Sequence, residues 1–306
     1  MRLSRFINNL AAGMLCFTVA FATGCSTVQP KPAPGIAILV SDRSPAFVDV
    51  QREIARRYTD RIQNYYLGGN ADENAAVRKH VQDSDVTAVV AIGLPAARMA
   101  RDLSGKHVVF CQVFNYEDMG LVPPWMKGIA ATPPVEDLFR TWKQLSPRLK
   151  RVGVITSGKL RNLMDEARSA AQKHGLKLIH VEAGSDKEAL FAFKRLSPKI
   201  QGLWMVPDNH VLSHSVIRDM MAHSVRQGKQ VAVFSNQLLA LGGLLSAETS
   251  AADIAEQVLR RVERVHKDSD VAVSGLTRTT IGINTVMASR LNLRIPKPLR
   301  GMAYAP

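Results

Sequence analysis

Short apolar runs alternate with segments whose apolar positions recur every three or four residues, and this alternation continues through most of the chain. The run Gly35-Ile36-Ala37-Ile38-Leu39-Val40 reads as a buried strand. Further strands are expected at 61–67, 86–92 and 107–114, with a short one at 128–131. Helices are expected between them at 47–58, 72–83 and 96–103, the last opened by Pro95, whose missing N–H costs nothing in a first turn. The pattern then restarts. Helix 135–145 is stopped by Ser146-Pro147, and strand 151–157 follows. Helix 162–174, strand 176–181, helix 187–196, strand 202–206, helix 210–227, strand 230–234 and a short strand at 243–247 come next. A long helix over 250–266 carries Ile254, Val258, Val262 and Val265 at helical spacing. Strand-helix alternation of this kind predicts an α/β fold with parallel sheets covered on both faces, here built twice as two Rossmann-like lobes.

In such sheets the loops after the strands present the ligand-binding groups. Those loops hold Ser41 and Ser44, Gly93, Leu94 and Ala96, Asn115 and Tyr116, Ser157, Asp208 and Asn209, and Ser235 and Asn236. All are candidate ligand-binding residues, and Asp208 is the foremost, because a carboxylate there can pair with an amine or accept from hydroxyls. The competing reading makes Asp208 or Asn209 only the N-cap of the next helix. Amides at Ala96, Ala97, Asn162 and Leu163 open helices and suit an anion. Tyr116 and Trp204 can stack on a ring, although Trp204 sits in an apolar strand and reads better as core. His210 and His214, four apart, would share a helix face and, with Asp208, hold a metal. No catalytic glutamate accompanies them, and no Gly-x-Ser-x-Gly elbow occurs, so neither a metal, a cofactor nor an enzymatic role is expected.

The N-terminus changes the compartment. Arg2 and Arg5 precede an apolar stretch at 10–22 that is too short for a confident membrane span, followed by Ala22-Thr23-Gly24-Cys25. Small residues before a cysteine resemble a bacterial lipobox, which implies a leader over 1–24, cleavage before Cys25 and lipidation of that residue. Ser26 next to it resembles an outer-membrane sorting signal. Residues 25–34 form a lipidated, proline-rich tether. Of the three cysteines, Cys16 lies in the leader, Cys25 carries lipid, and Cys111 sits in an apolar run, so no internal disulfide is expected. The formal charge is +14, and loss of Arg2 and Arg5 leaves about +12. The basic residues are dispersed without interleaved aromatics, which argues against nucleic acid and for a solvated surface near a membrane.

Five segments, in order, resemble one family. Ala91-Ile92-Gly93-Leu94-Pro95-Ala96-Ala97 is similar to its helix start, His107-Val108-Val109-Phe110 to a strand, Val206-Pro207-Asp208-Asn209 to a strand end, and Gly243-Leu244-Leu245-Ser246 to a later strand. The closing segment runs from Ile283-Asn284 through Ala288 and Leu291-Asn292-Leu293 to Ile295-Pro296. The family is that of ABC-transporter substrate-binding proteins of the tryptophan and tyrosine type, and the resemblance covers about residues 35–298. It implies a type I periplasmic-binding fold with hinge strands, lobe one being 35–132 plus 246–306 and lobe two 133–245. It implies a small amino-acid-like solute held between the lobes and handed to an ABC permease, or to an outer-membrane receptor, from a periplasmic position on the inner or outer membrane. Leu94 stands where the family has Thr or Ser and Asn115-Tyr116 where it has Asp-Pro, so the first lobe's contacts are rewritten; after a second-lobe strand, Ser157 stands where Asn is common. The same fold with a degenerate cleft would serve as a sensor or interaction module for a membrane receptor or signalling protein.

Overall fold

The computed structural model describes residues 35–114, 116, 119–121, 123–208, 210–264 and 271–305. The leader, Cys25 and its tether lie outside the described residues, as do the candidate site residues Asn115 and Asn209.

The chain runs β1 (Ile36–Val40), α1 (Pro45–Arg57), β2 (Ile62–Tyr66), α2 (Ala71–Asp83), β3 (Ala88–Ile92), α3 (Leu94–Arg101), β4 (His107–Val113), β5 (Met126–Ala130) and α4 (Val135–Leu145). It continues β6 (Arg151–Thr156), α5 (Arg161–Lys173), β7 (Lys177–Glu182), α6 (Asp186–Leu196), β8 (Gly202–Trp204), α7 (His214–Arg226) and β9 (Gln230–Val233). The last part is β10 (Leu245–Glu248), α8 (Ala251–Arg264), β11 (Val273–Ser274), β12 (Thr280–Asn284), α9 (Thr285–Arg290) and β13 (Ala303–Tyr304). Two sheets result, one ordered β11-β5-β4-β3-β1-β2 and the other β13-β12-β10-β9-β8-β6-β7. The first is parallel throughout. In the second, only β12 runs against its neighbour β10.

Covered parallel strands must be apolar on both faces, and β1 and β3 are buried along their whole length. Successive side chains leave a strand on opposite faces. Ile36, Ile38 and Val40 therefore join Val50 and Ile54 of α1 and Ile254 and Val258 of α8. Ala37 and Leu39 join Val81 of α2 and Ala96, Ala97 and Ala100 of α3 on the other face. The second sheet repeats the three-layer plan. Phe139, Trp142 and Met164 from α4 and α5 cover one face, and Phe193, Ile217 and Met220 from α6 and α7 cover the other. At Gly202 the sheet touches Trp142 so closely that a Cβ would lie 2.5 Å from the indole ring.

Two elements differ from what the sequence pattern predicts. α7 starts at His214, not at 210, with Ser213 as its N-cap accepting from the amide of Val216. Ahead of it the carbonyl of Asp208 accepts from the amides of Val211 and Leu212. The tail differs more. α8 packs beside α1 and β11 pairs with β5 in the first sheet, but β12 pairs with β10 and β13 with β12 in the second. The expectation that all of 246–306 lies with lobe one therefore does not hold for residues 246–248 of β10 or from residue 280 onward. Ile281, Ile283, Met287 and Leu299 supply the apolar surface that draws this tail into the second sheet's core. The chain thus crosses between the sheets three times, around 131–135, 248–251 and 275–280.

Candidate functional site

A cavity of about 790 Å³ opens between the carboxyl ends of the two sheets. Its wall takes Pro45, Phe47 and Asp49 from the start of α1, and Gln112 and Phe114 from the end of β4. The second sheet contributes residues 204–208 after β8, Phe234 and Ser235 after β9, and Ser213 and His214 at the start of α7. All three crossing segments reach it, through Thr132, Pro133 and Pro134, through Glu248, Thr249 and Ser250, and through Leu276. Four aromatic side chains, Phe47, Phe114, Trp204 and Phe234, share the wall with three carboxylates, Asp49, Asp208 and Glu248. An apolar concave site with a few fixed polar groups is what a small organic ligand requires.

Asp208 is 1% exposed, and its carboxylate is held from three sides. One oxygen accepts from the backbone N–H of Ser157 at 2.7 Å and from its hydroxyl at 2.8 Å, and the other accepts from the amide of His210 at 3.1 Å. Asp208 and Ser157, candidates from two different strand ends, therefore meet directly. Asp208 lines the cavity and also organises its own loop, while the helix cap belongs to Ser213. Trp204 is likewise both core and wall. It lies in the second sheet's core with its ring edge-on to Phe139 at 5.3 Å between centroids, and it also borders the cavity.

Glu248 was not singled out by the sequence, being an isolated acid in a short apolar segment. It closes the second crossing. Its carboxylate accepts from the backbone amide of Asn236 at 3.0 Å and from that residue's side-chain amide at 2.6 Å. The Ser246 hydroxyl donates to the side-chain oxygen Oδ1 of Asn236, and Gly282 leaves room for this cluster, since a Cβ there would sit 2.6 Å from the Ser246 hydroxyl. Asn236 is thereby committed to the hinge, not to the wall, while its neighbour Ser235 faces the cavity and accepts from the amide of Gln237.

The first sheet's candidates serve mainly the fold. The Ser41 hydroxyl accepts from the amide of Ala96 at 3.0 Å, so the start of α3 is already capped. The amide of Ala97 bonds the carbonyl of Gly93. The anion site expected from the amides of Ala96 and Ala97 is thus occupied by the protein itself. Gly93 has φ of 86°, a conformation costly for other residues, and a Cβ would strike Ser41 and Phe47. Leu94 and Tyr116 pack on the first core, with the Tyr116 ring 5.8 Å from that of Phe110. Ser44 precedes α1 and donates its amide to Asp42. Of the described candidates, Asp208 and Ser235 line the cavity; Ser41, Ser44, Gly93, Leu94, Ala96, Tyr116, Ser157 and Asn236 stand outside its wall.

Gln112 also escaped the sequence pattern. It has φ of 57° where the β4–β5 register shifts, and this irregularity turns the end of β4 into the cavity wall. Such a left-handed residue inside a strand-like run has no signature in hydrophobic periodicity. His210 and His214 do not share a helix, because α7 begins at His214. Among the described residues no group of three or more His, Cys, Asp or Glu is placed to hold a metal ion. Cys111 is buried beside the site in β4, and desolvation pushes its thiol up to about 12. Ser250, with help from Arg278, holds the Asp253 carboxyl below its ordinary range at the start of α8.

Solved structures share this arrangement. A Streptococcus pneumoniae ABC domain in complex with L-Trp superposes with a TM-score of 0.64 at 19% identity, over 88% of this chain and 99% of that one. The ligand-free, open form of a substrate-binding protein with adhesive properties from Clostridium difficile gives 0.69 at 17% identity, over 89% and 99%. A periplasmic-binding ribose operon repressor protein from Lactobacillus acidophilus gives 0.52 at 10% identity, over 80% and 96%. These likenesses make the fold type I periplasmic-binding-protein-like. No curated protein sequence matches the chain. The family model for ABC transporter substrate binding proteins matches residues 56–304, and the chain belongs to that family, whose members bind small molecules outside the cytoplasm for ABC transporters.

Proposed function

We propose that this protein is a lipid-anchored solute-binding protein, not an enzyme, which captures a small amino-acid-like molecule between its two lobes and delivers it to the permease of an ABC importer. The observation that carries this reading is the cavity itself: about 790 Å³, framed by aromatic rings and carboxylates and bordered by all three crossing segments. A hinge that borders the ligand lets binding be coupled to closure. Aromatic faces suit an apolar body, and carboxylates suit an amine. On this reading lobe one comprises 35–132 with 249–279, and lobe two comprises 133–248 with the tail from 280. Lipidated Cys25, with the proline-rich segment after it, would hold the lobes close to the membrane that bears the permease.

The test is a thermal-shift screen of the purified protein against amino acids, their derivatives and other small solutes. A ligand at one hundred times its Kd contributes about 2.7 kcal/mol, and a chain of this size then melts roughly 5 °C higher. At least one amine-bearing solute should give such a shift, and Phe234→Ala should reduce it. A broad library without a single hit would refute solute capture. Anchoring has its own test. Mass spectrometry of the mature protein's N-terminal peptide should show acyl mass on Cys25, and a mature N-terminus without it would contradict the lipid anchor.

A further inference from the structure

The charge of the cavity wall is opposite to that of the molecule. The chain carries +14, yet among the described residues no Lys or Arg lines the cavity, whereas Asp49, Asp208 and Glu248 do. Asp49, at the mouth, is paired with Arg52 at 3.0 Å on the exposed side of α1. Asp208 and Glu248 lie deeper, and their recorded partners are neutral N–H and O–H groups. Neutral donors satisfy the geometry of a carboxylate without cancelling its charge. The guanidinium of the third crossing, Arg278, is drawn away to Asp253 and Glu256.

A solute carboxylate would need cations or unpaired amides, and the helix starts around the cavity have already committed several of theirs. α1 begins with Pro45, which has no N–H, and the amides of Phe47 and Val48 bond the carbonyl of Ser44. The first amide of α4, Val135, bonds Glu166. The hydroxyl of Ser213 takes the amide of Val216 in α7, and that of Ser250 takes the amide of Asp253 in α8. At these four helix starts the attraction for an anion is therefore largely answered by the protein's own oxygens. Opposite stand two unpaired carboxylate charges and four aromatic rings, the combination that receives organic cations.

Resting on the solute-binding reading above, we propose that the cavity takes an organic cation: an amine with an apolar, ring-bearing body and no carboxylate to balance it. Within amino-acid-like chemistry this selects decarboxylated amines over the parent zwitterions. Glu248, fixed by Asn236 at the hinge, is the residue that sets the preference, because it presents its charge where the lobes meet.

Isothermal titration calorimetry of the purified protein tests this with two matched series. One is tryptamine, L-tryptophan and indole-3-propionate, and the other is phenethylamine, L-phenylalanine and 3-phenylpropionate. In at least one series the amine should bind about tenfold or more tighter than the zwitterion, and the acid should give no measurable heat. Glu248→Gln should remove most of that tenfold advantage, weakening the amine more than the zwitterion, whose own carboxylate no longer meets a like charge. N-acetylation of the preferred amine, which keeps the ring and deletes the charge, should cost at least about tenfold and needs no change in the protein. A zwitterion or acid that binds as tightly as its amine overturns the proposal and leaves solute capture standing. Silence from all six compounds also overturns it, and solute capture is then judged separately by the broad screen.

Discussion

Asp208 shows how one residue can face a cavity and hold the fold around it. Its carboxylate takes two bonds from Ser157 and one from the amide of His210. Replacing it with alanine strands buried donors, so Asp208→Ala should lower the unfolding free energy by about 3 kcal/mol, read as a fall in the urea midpoint. Ser157→Ala keeps the backbone bond and should cost only about 1 kcal/mol. Equal losses in the two variants would mean that Asp208 is not the organising group. Cys111 gives a second expectation. Burial raises its thiol from 9.0 to about 12. The folded thiol therefore keeps its proton while the unfolded one loses it, and the stability it confers is constant below about pH 9 and falls as pH rises toward 12. The loss approaches about 4 kcal/mol, Cys111→Ala should lack that slope, and a thiol reagent at pH 8 should leave the native protein's Cys111 unmodified. Asp208 could be read from the sequence because an apolar run ending in Pro207-Asp208 is a local pattern. Gln112 and Glu248 could not, since one owes its place to a backbone irregularity and the other to a pairing with Asn236 formed only when β9 and β10 lie together.

Elements followed hydrophobic periodicity closely where a strand is covered on both faces, as β1 and β3 are. Periodicity failed where a polar residue overrides it. The segment from 208 to 212 could continue a helix by pattern, but Asp208 bonds inward and Ser213 caps α7. It also failed for β12, whose five residues gain their register only by pairing antiparallel with β10. Because Ile283 is fully buried in the second sheet's core, Ile283→Ala should destabilise by about 2–5 kcal/mol. Hydrogen exchange in that variant should rise in β9 and β10 before β1 and β3. Equal loosening of both sheets would argue against the tail's place in the second. Gly202→Ala should also destabilise the second sheet, because its Cβ would meet the indole of Trp142.

At the scale of the molecule, two three-layer units joined by three crossings create a site that neither unit contains alone. The duplication was legible in the repeated order of strands and helices, and so was the family, from five short segments in sequence. The tail's return to the second sheet was not, because a third crossing leaves no mark on local pattern. Nor was the charge contrast between the basic chain and its acidic cavity, which depends on where the dispersed Lys and Arg side chains fall relative to the wall, Arg278 for instance pairing with Asp253 and Glu256. The most direct test of the central claim is hydrogen–deuterium exchange of the purified protein with and without a solute that raises its melting temperature. Protection should arise on both sheets at once, over 45–50, 131–135, 204–208, 233–238 and 247–251. Protection confined to one sheet, or located on the basic surface around Lys143, Lys150 and Lys177, would contradict capture between the lobes.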